Sequence, residues 1–126
     1  MTQIKIKRAY EPEDAGDGYR IYIDRLWPRG MSHETFHYDL WEKDVAPSTQ
    51  LREWFHGSHD DTFSQADQDT RWKEFESRYA AELQANPAYS KLRDIISSHP
   101  KVTLLYSSHD VTHNNAVVLA DCLRHS

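Results

Sequence analysis

Hydrophobic and polar residues alternate in two short segments near the beginning of the sequence. Residues 3–8 read "QIKIKR" and residues 19–26 read "YRIYIDRL", and in both segments apolar side chains occupy every second position. A period of two is typical of a strand with one buried face. A third segment, 101–108 ("KVTLLYSS"), is dominated by a continuous apolar run, which is typical of a central strand covered on both faces. The pattern therefore predicts three strands.

Other segments carry the apolar spacing of helices. The segment "PSTQLREWF" predicts a helix capped by the serine or threonine at 48–49, and a longer helix is predicted from about Thr70. Pro87 marks the start of a further helix, because a proline at the first helical position loses no hydrogen bond that it could have made. A last helix through "HNNAVVLADCLRH" is predicted to be capped by Asp110 or Thr112.

Two segments carry weaker signals. The segment "FHYDLWEKDVA" fits strand spacing and helix spacing equally well. The polar stretch 56–69, with Phe63 as its one apolar anchor, predicts an excursion on the surface. The order of elements is thus strand, strand, several helices, strand and helix, so the sheet is small and helices must cover it. We therefore predict one α/β domain over residues 1–126 with a small, mainly parallel sheet.

Composition narrows the class of protein. The chain has 126 residues, of which 38% are hydrophobic and 28% charged, and these values suit a soluble globular protein. Its net charge of -5 argues against a nucleic-acid binder whose affinity depends on broad neutralisation of phosphates. The single cysteine, Cys122, rules out an internal disulfide framework and fits a reducing compartment. Because the sequence also shows neither a signal peptide nor an apolar stretch of membrane-spanning length, we expect a cytoplasmic protein.

The loop "DRLWPRG" is the first candidate for chemistry. Pro28 fixes one backbone angle and biases Trp27 towards an extended conformation, so the loop is stiff. It presents Arg25 and Arg29 after the end of a strand, where α/β sheets commonly bind ligands, and guanidinium groups match carboxylates and phosphates. Alternatively, one arginine pairs with a nearby aspartate and Trp27 belongs to the core.

The segment "SSHDVTHNN" is the second candidate. It follows the buried third strand and leads into the last helix, whose first turn is expected to hold His113 and Asn114. The N-terminus of a helix presents free amide groups and the positive end of the dipole, which favours an anion. The alternative is that these polar residues only cap the helix.

Histidine pairs in the chain have the four-residue spacing of the zinc-protease motif. His109 and His113 form one pair, but the position that is glutamate in that motif is Asp110, and His109 is expected to precede the helix. A second pair lies at 33 and 37, and no third ligand is grouped with either. We therefore predict neither a metal site nor a cofactor. Cys122 lies inside the last predicted helix, and we expect its thiol to be buried in the core.

Four segments together resemble a known family. The stretches "GYRIYIDRLWPRG", "LWEKDVAPSTQLREWF", "RWKEFESRYAAEL" and "VTLLYSSHDVTHNNAVVL" are similar to domain of unknown function 488, in its small YeaO-like branch of uncharacterised bacterial proteins. The resemblance covers nearly the whole chain and implies a compact α/β fold, but it supplies no activity. The positions that match the family are Asp24, Arg25, Trp27, Pro28, Arg29, Gly30, Lys43, Pro47, Ser48, Arg52, Trp54, Tyr106, Asp110, His113 and Asn114.

The chain also departs from the family at positions that matter for chemistry. The resemblance implies that larger relatives carry a cysteine where Tyr106 stands. It also implies that they carry a cysteine–histidine–arginine run where Asn114, Asn115 and Ala116 stand. In the small branch, lysine is common where His109 stands. The resemblance therefore argues against thiol-based or metal-thiolate chemistry in this chain.

The predicted site follows from one geometric condition. If the second and third strands are parallel and adjacent, Arg25, Arg29, Tyr106, His113 and Asn114 converge at their C-terminal ends. Lys43 and Arg52 are then expected at the rim of the pocket, and Trp27 beside the two loop arginines. Such a pocket suits a small anion, either a phosphate or a carboxylate, including a phosphorylated metabolite or nucleotide.

Several functions fit such a pocket. One is an enzyme in which His113 is the general acid or base, with Tyr106 beside it, and the arginines stabilise charge. Another is a non-catalytic binding or regulatory module, and the sequence does not decide between these two. A nucleic-acid-associated protein that stacks bases on Trp27 is disfavoured by the acidic balance, and a metal-dependent protein that uses histidines ranks last. The expected partner is a small anionic ligand, and the sequence does not indicate the oligomeric state.

Overall fold

The structure is a computed structural model that describes residues 2–56 and 65–125. Its strands are β1 (Gln3–Arg8), β2 (Tyr19–Tyr22), β3 (Leu40–Trp41) and β4 (Lys101–Tyr106). Its α-helices are α1 (Thr49–His56), α2 (Gln65–Gln84), α3 (Pro87–Ser97) and α4 (Asn115–Arg124), and short 3-10 helices span Ala15–Asp17 and Lys43–Val45. The four strands form one parallel sheet in the order β1-β4-β2-β3. This confirms the predicted α/β fold with a small sheet.

The strands match the alternating segments, with one difference. Strand β1 has the bounds that its alternation predicts, and β4 is the predicted central strand, paired with β1 on one side and β2 on the other. Strand β2 ends at Tyr22, four residues before its pattern ends. The ladder stops there because the side chain of Asp24 binds Ser107 in the loop after β4.

Two helices begin where the sequence predicts. The hydroxyl oxygen of Ser48 accepts a hydrogen bond from the backbone N–H of Leu51 (3.1 Å) and caps α1. The side chain of Asn86 accepts from the N–H of Ala88 (3.0 Å), and Pro87 is the first residue of α3. Local capping chemistry therefore decides both starts.

The start of α4 differs from the prediction. The helix begins at Asn115, and its cap is Asn114, whose side-chain oxygen accepts from the N–H of Val117 (3.1 Å). Neither Asp110 nor Thr112 caps it. The carboxylate of Asp110 instead accepts from backbone N–H groups within its own loop, so it closes a turn that precedes the helix.

Helix α2 begins earlier than its apolar stripe indicates. It starts at Gln65 rather than near Thr70, so the apolar stripe that begins at Trp72 marks only part of the helix. Residues 65–69 of the predicted excursion are therefore helical, whereas residues 57–64, including Phe63, lie outside the described part of the chain. Within that part, no helix is both long enough and apolar enough to span a membrane.

The main core lies between one face of the sheet and the helices. Ile21 of β2 and Leu104 of β4 are fully buried there, as is Ile23 directly after β2. Tyr79 of α2 and Leu119 of α4 pack against the same cluster. The hydroxyl of Tyr79 donates to the carbonyl oxygen of Val45 (2.5 Å), which fixes the chain just before α1.

A loop rather than a helix covers the opposite face of the sheet. Tyr22 of β2 and Leu105 of β4 are fully buried there beneath aromatic residues that follow β2. The loop "DRLWPRG" belongs to this cover, because Trp27 and Phe36 pack in T-shaped geometry with ring centroids 5.4 Å apart. The loop is thereby anchored to the sheet at the point where β2 ends.

The same face carries a buried group of charges, which we call the Asp17 cluster: Lys5, Lys7, Asp17 and Arg20. The carboxylate of Asp17 contacts Lys5 Nζ at 2.9 Å, Lys7 Nζ at 3.1 Å and the guanidinium of Arg20. Burial alone would raise the pKa of Asp17, but the hydrogen bonds from the two lysines, from Arg20 and from the backbone of Asp14 outweigh it and hold the pKa well below its usual range.

Candidate functional site

An open cleft of about 960 Å³ lies at the C-terminal ends of β2 and β4. These strands are adjacent and parallel, with Tyr22 opposite Leu105, so the loops that follow them emerge side by side. Residues between 24 and 29, between 46 and 55, and between 107 and 115 line most of the cleft. The geometric condition behind the predicted site is therefore met.

Most of the predicted site residues line this cleft, namely Arg25, Trp27, Arg29, Arg52, His113 and Asn114. Two do not. Tyr106 is only 3% exposed and belongs to the main core, and Lys43 lies outside the cleft, with its ammonium group 5.6 Å from the ring centroid of Trp41. The structure thus brings together residues from both candidate loops and from α1.

Three guanidinium groups lie in the cleft without a carboxylate partner among the described residues. Arg25, Arg29 and Arg52 are all exposed, and none forms an ion pair within residues 2–56 and 65–125. Arg25 makes one long hydrogen bond, from Nη2 to the carbonyl oxygen of Pro47 (3.4 Å). The donors of these side chains are therefore accessible to a ligand in the cleft.

The aspartate beside Arg25 is occupied by other donors. One carboxylate oxygen of Asp24 accepts from the backbone N–H of Ser107 (2.9 Å) and from its hydroxyl (2.5 Å), and the other accepts from Nδ2 of Asn115 (2.9 Å). Asp24 thereby joins the end of β2 to the loop after β4 and to the first residue of α4. This explains why Arg25 is not neutralised by its neighbour in sequence.

Asp110 organises the loop that carries His113. One oxygen of its carboxylate accepts from the N–H groups of Thr112 (3.0 Å) and His113 (2.9 Å), and the other lies 3.4 Å from Nδ1 of His113. Partial burial raises the pKa of Asp110, but these hydrogen bonds and the nearby imidazole outweigh it and lower the pKa. The ring of His113 also meets the ring of Trp72 edge to face, with centroids 4.8 Å apart. An aspartate and an aromatic ring thus orient this imidazole.

Trp27 lines the cleft, but most of its contacts are structural. Its Nε1 donates to the carbonyl oxygen of Met31 (2.7 Å), and its ring packs against Tyr38 and Trp41 with centroids 5.8 Å and 5.6 Å away. His33 stacks on it with centroids 4.0 Å apart. These contacts agree with the alternative that Trp27 belongs to the core.

Neither Cys122 nor Tyr106 has the setting of a nucleophile in the cleft. Cys122 lies on α4 outside the cleft, and burial raises the pKa of its thiol. Burial likewise raises the pKa of Tyr106, with a smaller contribution from the charge of Glu11. In the part of the chain that the structure describes, no three or more His, Cys, Asp or Glu side chains are grouped so that they could hold a metal ion.

Sequence reasoning missed the apolar part of the cleft. Leu26, Pro47, Phe55 and Phe75 line it together with the arginines. The strand pattern assigned Leu26 to β2, yet its side chain is 61% exposed because the strand ends before it. The alternation puts Leu26 on the face of Arg20 and Asp24 but does not show that the strand ends early, so the pattern contains no signal that places Leu26 in the cleft.

Comparisons with known proteins agree on one family. The family model described as the inactive DUF488-N3 subclade matches residues 3–126. The chain is 43% identical over 122 residues to the uncharacterized protein YeaO of Escherichia coli (strain K12), covering 96% of each chain. It is 37% identical over 122 residues to an uncharacterized protein of Mycobacterium tuberculosis, covering 97% of this chain and 94% of the relative. No solved structure matches the chain.

Proposed function

The chain belongs to the DUF488 family, in the subclade described as inactive, and on that premise we propose that it binds a small anion in the cleft without transforming it. One observation carries the proposal. Arg25, Arg29 and Arg52 line the same cleft, and each lacks a carboxylate partner among the described residues. Guanidinium groups held this way match the geometry of phosphates and carboxylates.

The acidic residues of the cleft do not remove this preference for an anion. The carboxylates of Asp24 and Asp110 each accept several hydrogen bonds from N–H and O–H donors of the loop after β4 and the start of α4. These donors offset part of the negative charge of both carboxylates, of which Asp24 is partly buried and Asp110 is exposed. Glu53, which is exposed, is the remaining carboxylate of the lining among the described residues.

Two features favour binding over catalysis. The thiol of Cys122 lies outside the cleft, and the hydroxyl of Tyr106 belongs to a core residue with a raised pKa, so neither supports covalent chemistry in the cleft. The description of the matched subclade as inactive points the same way. A binding module needs only the cations and the shape of the cleft.

The test is ligand-dependent stability of a cleft variant and a matched control. Inorganic phosphate and a panel of small carboxylates are added at constant ionic strength, and the melting temperature is measured. At ten times its dissociation constant, a ligand stabilises the folded state by about 1.4 kcal/mol, a rise of roughly 4 °C for a domain of this size. The double variant Arg25→Gln/Arg29→Gln should lose this rise. Arg93→Gln, which removes an exposed arginine of α3 outside the cleft, should keep it.

The control also separates specific binding from a general salt effect. Phosphate stabilises many proteins by exclusion from their surface, and that effect acts equally on all variants. If the double variant responds to every anion as the wild type does, the cleft is not an anion site and the proposal is wrong.

A second candidate function rests on the contact between Asp110 and His113. An imidazole held 3.4 Å from a carboxylate and exposed to the cleft is suited to general acid–base catalysis of a reaction of the bound anion. The experiment is to incubate each stabilising ligand with the wild type and with His113→Gln and to follow the ligand by NMR. Turnover by the wild type alone would establish the enzyme, whereas an unchanged ligand in both samples supports the binding module.

A further inference from the structure

The cleft combines cations with exposed apolar surface. Among the described residues, three large hydrophobic side chains are exposed: Tyr10 (38%), Leu26 (61%) and Val111 (59%). Tyr10 and Leu26 both line the cleft. Two of these three side chains therefore lie in the same cavity as the arginines that have no carboxylate partner among the described residues.

Most of the uncharged polar lining and most of the apolar lining come from different parts of the chain. Hydroxyl, amide and imidazole groups come from the loop after β4, whereas Pro47 and Phe55 come from the start and end of the α1 region and Phe75 from α2. Leu26 adds to the apolar lining from the loop after β2. Phe75 and Pro47 are already buried, so an inorganic anion would contact the cations and leave Leu26 and the partly exposed Phe55 in water.

The position of Arg25 connects the two kinds of lining. It directly precedes Leu26 in the chain, and its Nη2 donates to the carbonyl oxygen of Pro47. An anionic group bound by Arg25 therefore lies between the loop that carries Leu26 and the segment before α1. An apolar substituent attached to that group could cover Leu26, and removing apolar surface from water favours binding.

We propose that the ligand of the cleft is an amphiphilic organic anion, a phosphate monoester or a carboxylate that carries an apolar group. This inference rests on the proposed function and adds the chemical class of the ligand. The arginines bind the charged head, and the apolar group covers Leu26 and the partly exposed Phe55. Charge complementarity and the exposed leucine in one cavity both require such a molecule.

A homologous series of ligands tests the proposal. Methyl, propyl and hexyl phosphate have the same charged head, and acetate, butyrate and heptanoate test the carboxylate form. Dissociation constants are measured by calorimetry at constant pH and ionic strength. For the favoured head group, affinity should rise by up to about fourfold for each methylene that becomes buried. Arg25→Gln/Arg29→Gln should weaken every member of that series.

Two variants of equal exposure locate the apolar contact. Leu26→Ser removes a leucine that is 61% exposed and lines the cleft, and Val111→Ser removes a valine that is 59% exposed and does not line it. Because both side chains are mostly in water, the unliganded variants should melt close to the wild type. Leu26→Ser should flatten the dependence of affinity on chain length, and Val111→Ser should leave it unchanged.

The outcomes separate this inference from the proposed function. Equal affinity for all members of a series, lost in the arginine variant, would retain the anion site and overturn the amphiphilic ligand. A dependence on chain length that Leu26→Ser does not alter would also overturn it. If neither series binds, both proposals fail.

Discussion

Two arginines five positions apart, Arg20 and Arg25, have opposite roles. The side chain of Arg20 is 3% exposed, and its guanidinium binds the carboxylate of Asp17 and the carbonyl oxygen of His37 (2.9 Å). Arg25 is exposed in the cleft and has no carboxylate partner among the described residues. Arg20 is the second residue of the short strand β2, and Arg25 lies beyond its end.

The difference between the two arginines shows where this fold leaves a cationic side chain without a carboxylate partner among the described residues. Near the N-terminal part of the sheet, a carboxylate was available and became the centre of the Asp17 cluster. At the C-terminal ends of β2 and β4, the available carboxylate, Asp24, instead holds two loops together through Ser107 and Asn115. Arg25 therefore has no carboxylate partner among the described residues and is available for a ligand. Ligands commonly bind at this end of parallel sheets.

The largest expected effect comes from replacing each of these arginines by glutamine. Arg20→Gln leaves Asp17 buried with one fewer partner and should lower the free energy of unfolding by about 3–5 kcal/mol. Arg25→Gln should change it by less than about 0.5 kcal/mol, because an exposed side chain without an ion pair contributes little. Urea denaturation of both variants at neutral pH measures the contrast. Equal losses would show that Arg25 is also structural.

The pH dependence of stability should separate the Asp17 cluster from the rest of the molecule. Because the pKa of Asp17 is lower in the folded state than its ordinary value of 3.8, the folded state binds fewer protons. The stabilisation is therefore complete above about pH 4 and is lost as the pH falls towards the folded pKa. Urea denaturation should show that the wild type exceeds Asp17→Asn by a constant amount between pH 7 and 5, and by less as the pH falls below 4. A difference that grew on acidification would contradict this assignment.

Two glycines with positive φ extend the comparison between the Asp17 cluster and the cleft. A Cβ on Gly18 (φ 66°) would overlap the carbonyl group of Lys101, next to the Asp17 cluster. Gly30 (φ 81°), which ends the cleft loop, has no atom within 4 Å of the Cβ position. We expect Gly18→Ala to cost about 2–4 kcal/mol and Gly30→Ala about 1 kcal/mol, the latter from backbone strain alone. Melting temperatures of the two variants give the ranking.

The smallest expected effect concerns the exposed carboxylate of the cleft. Replacing Glu53 by glutamine removes a negative charge from the lining and should tighten binding of an anionic ligand about twofold to threefold at low salt. The gain should shrink at high ionic strength, since exposed charges are screened there. Titration of hexyl phosphate into the wild type and Glu53→Gln at two salt concentrations measures it. An unchanged dissociation constant at both salt concentrations would place the ligand away from this residue.

The fold could be predicted because its signals are local. The alternation over 3–8 gave β1, and the apolar run over 101–108 gave the central strand. The caps Ser48 and Asn86 were recognisable from residue type and position alone. The cap of α4 was not recognisable, because Asp110 and Asn114 are equally good capping residues and only the fold of their loop decides between them.

The site could be predicted only in part because its partners are distant in sequence. Residues 24–29 and 107–115 meet through the pairing of β2 and β4, which the sequence allowed only as a condition. Whether a given arginine finds a carboxylate depends on contacts such as that between Asp24 and Ser107, 83 positions apart, and no local pattern contains them. The exclusion of Lys43 and Tyr106 from the cleft likewise depends on tertiary packing.

The sheet order has a consequence for how the protein is made. Strands β1 and β2 do not pair with each other; each pairs with β4, which lies between them in space and far behind them in the chain. During synthesis, roughly the first hundred residues therefore leave the ribosome with both early strands lacking their neighbour. The sheet can close only after residues 101–106 emerge, so a nascent chain halted before them exposes two apolar strand edges to chaperones and to aggregation.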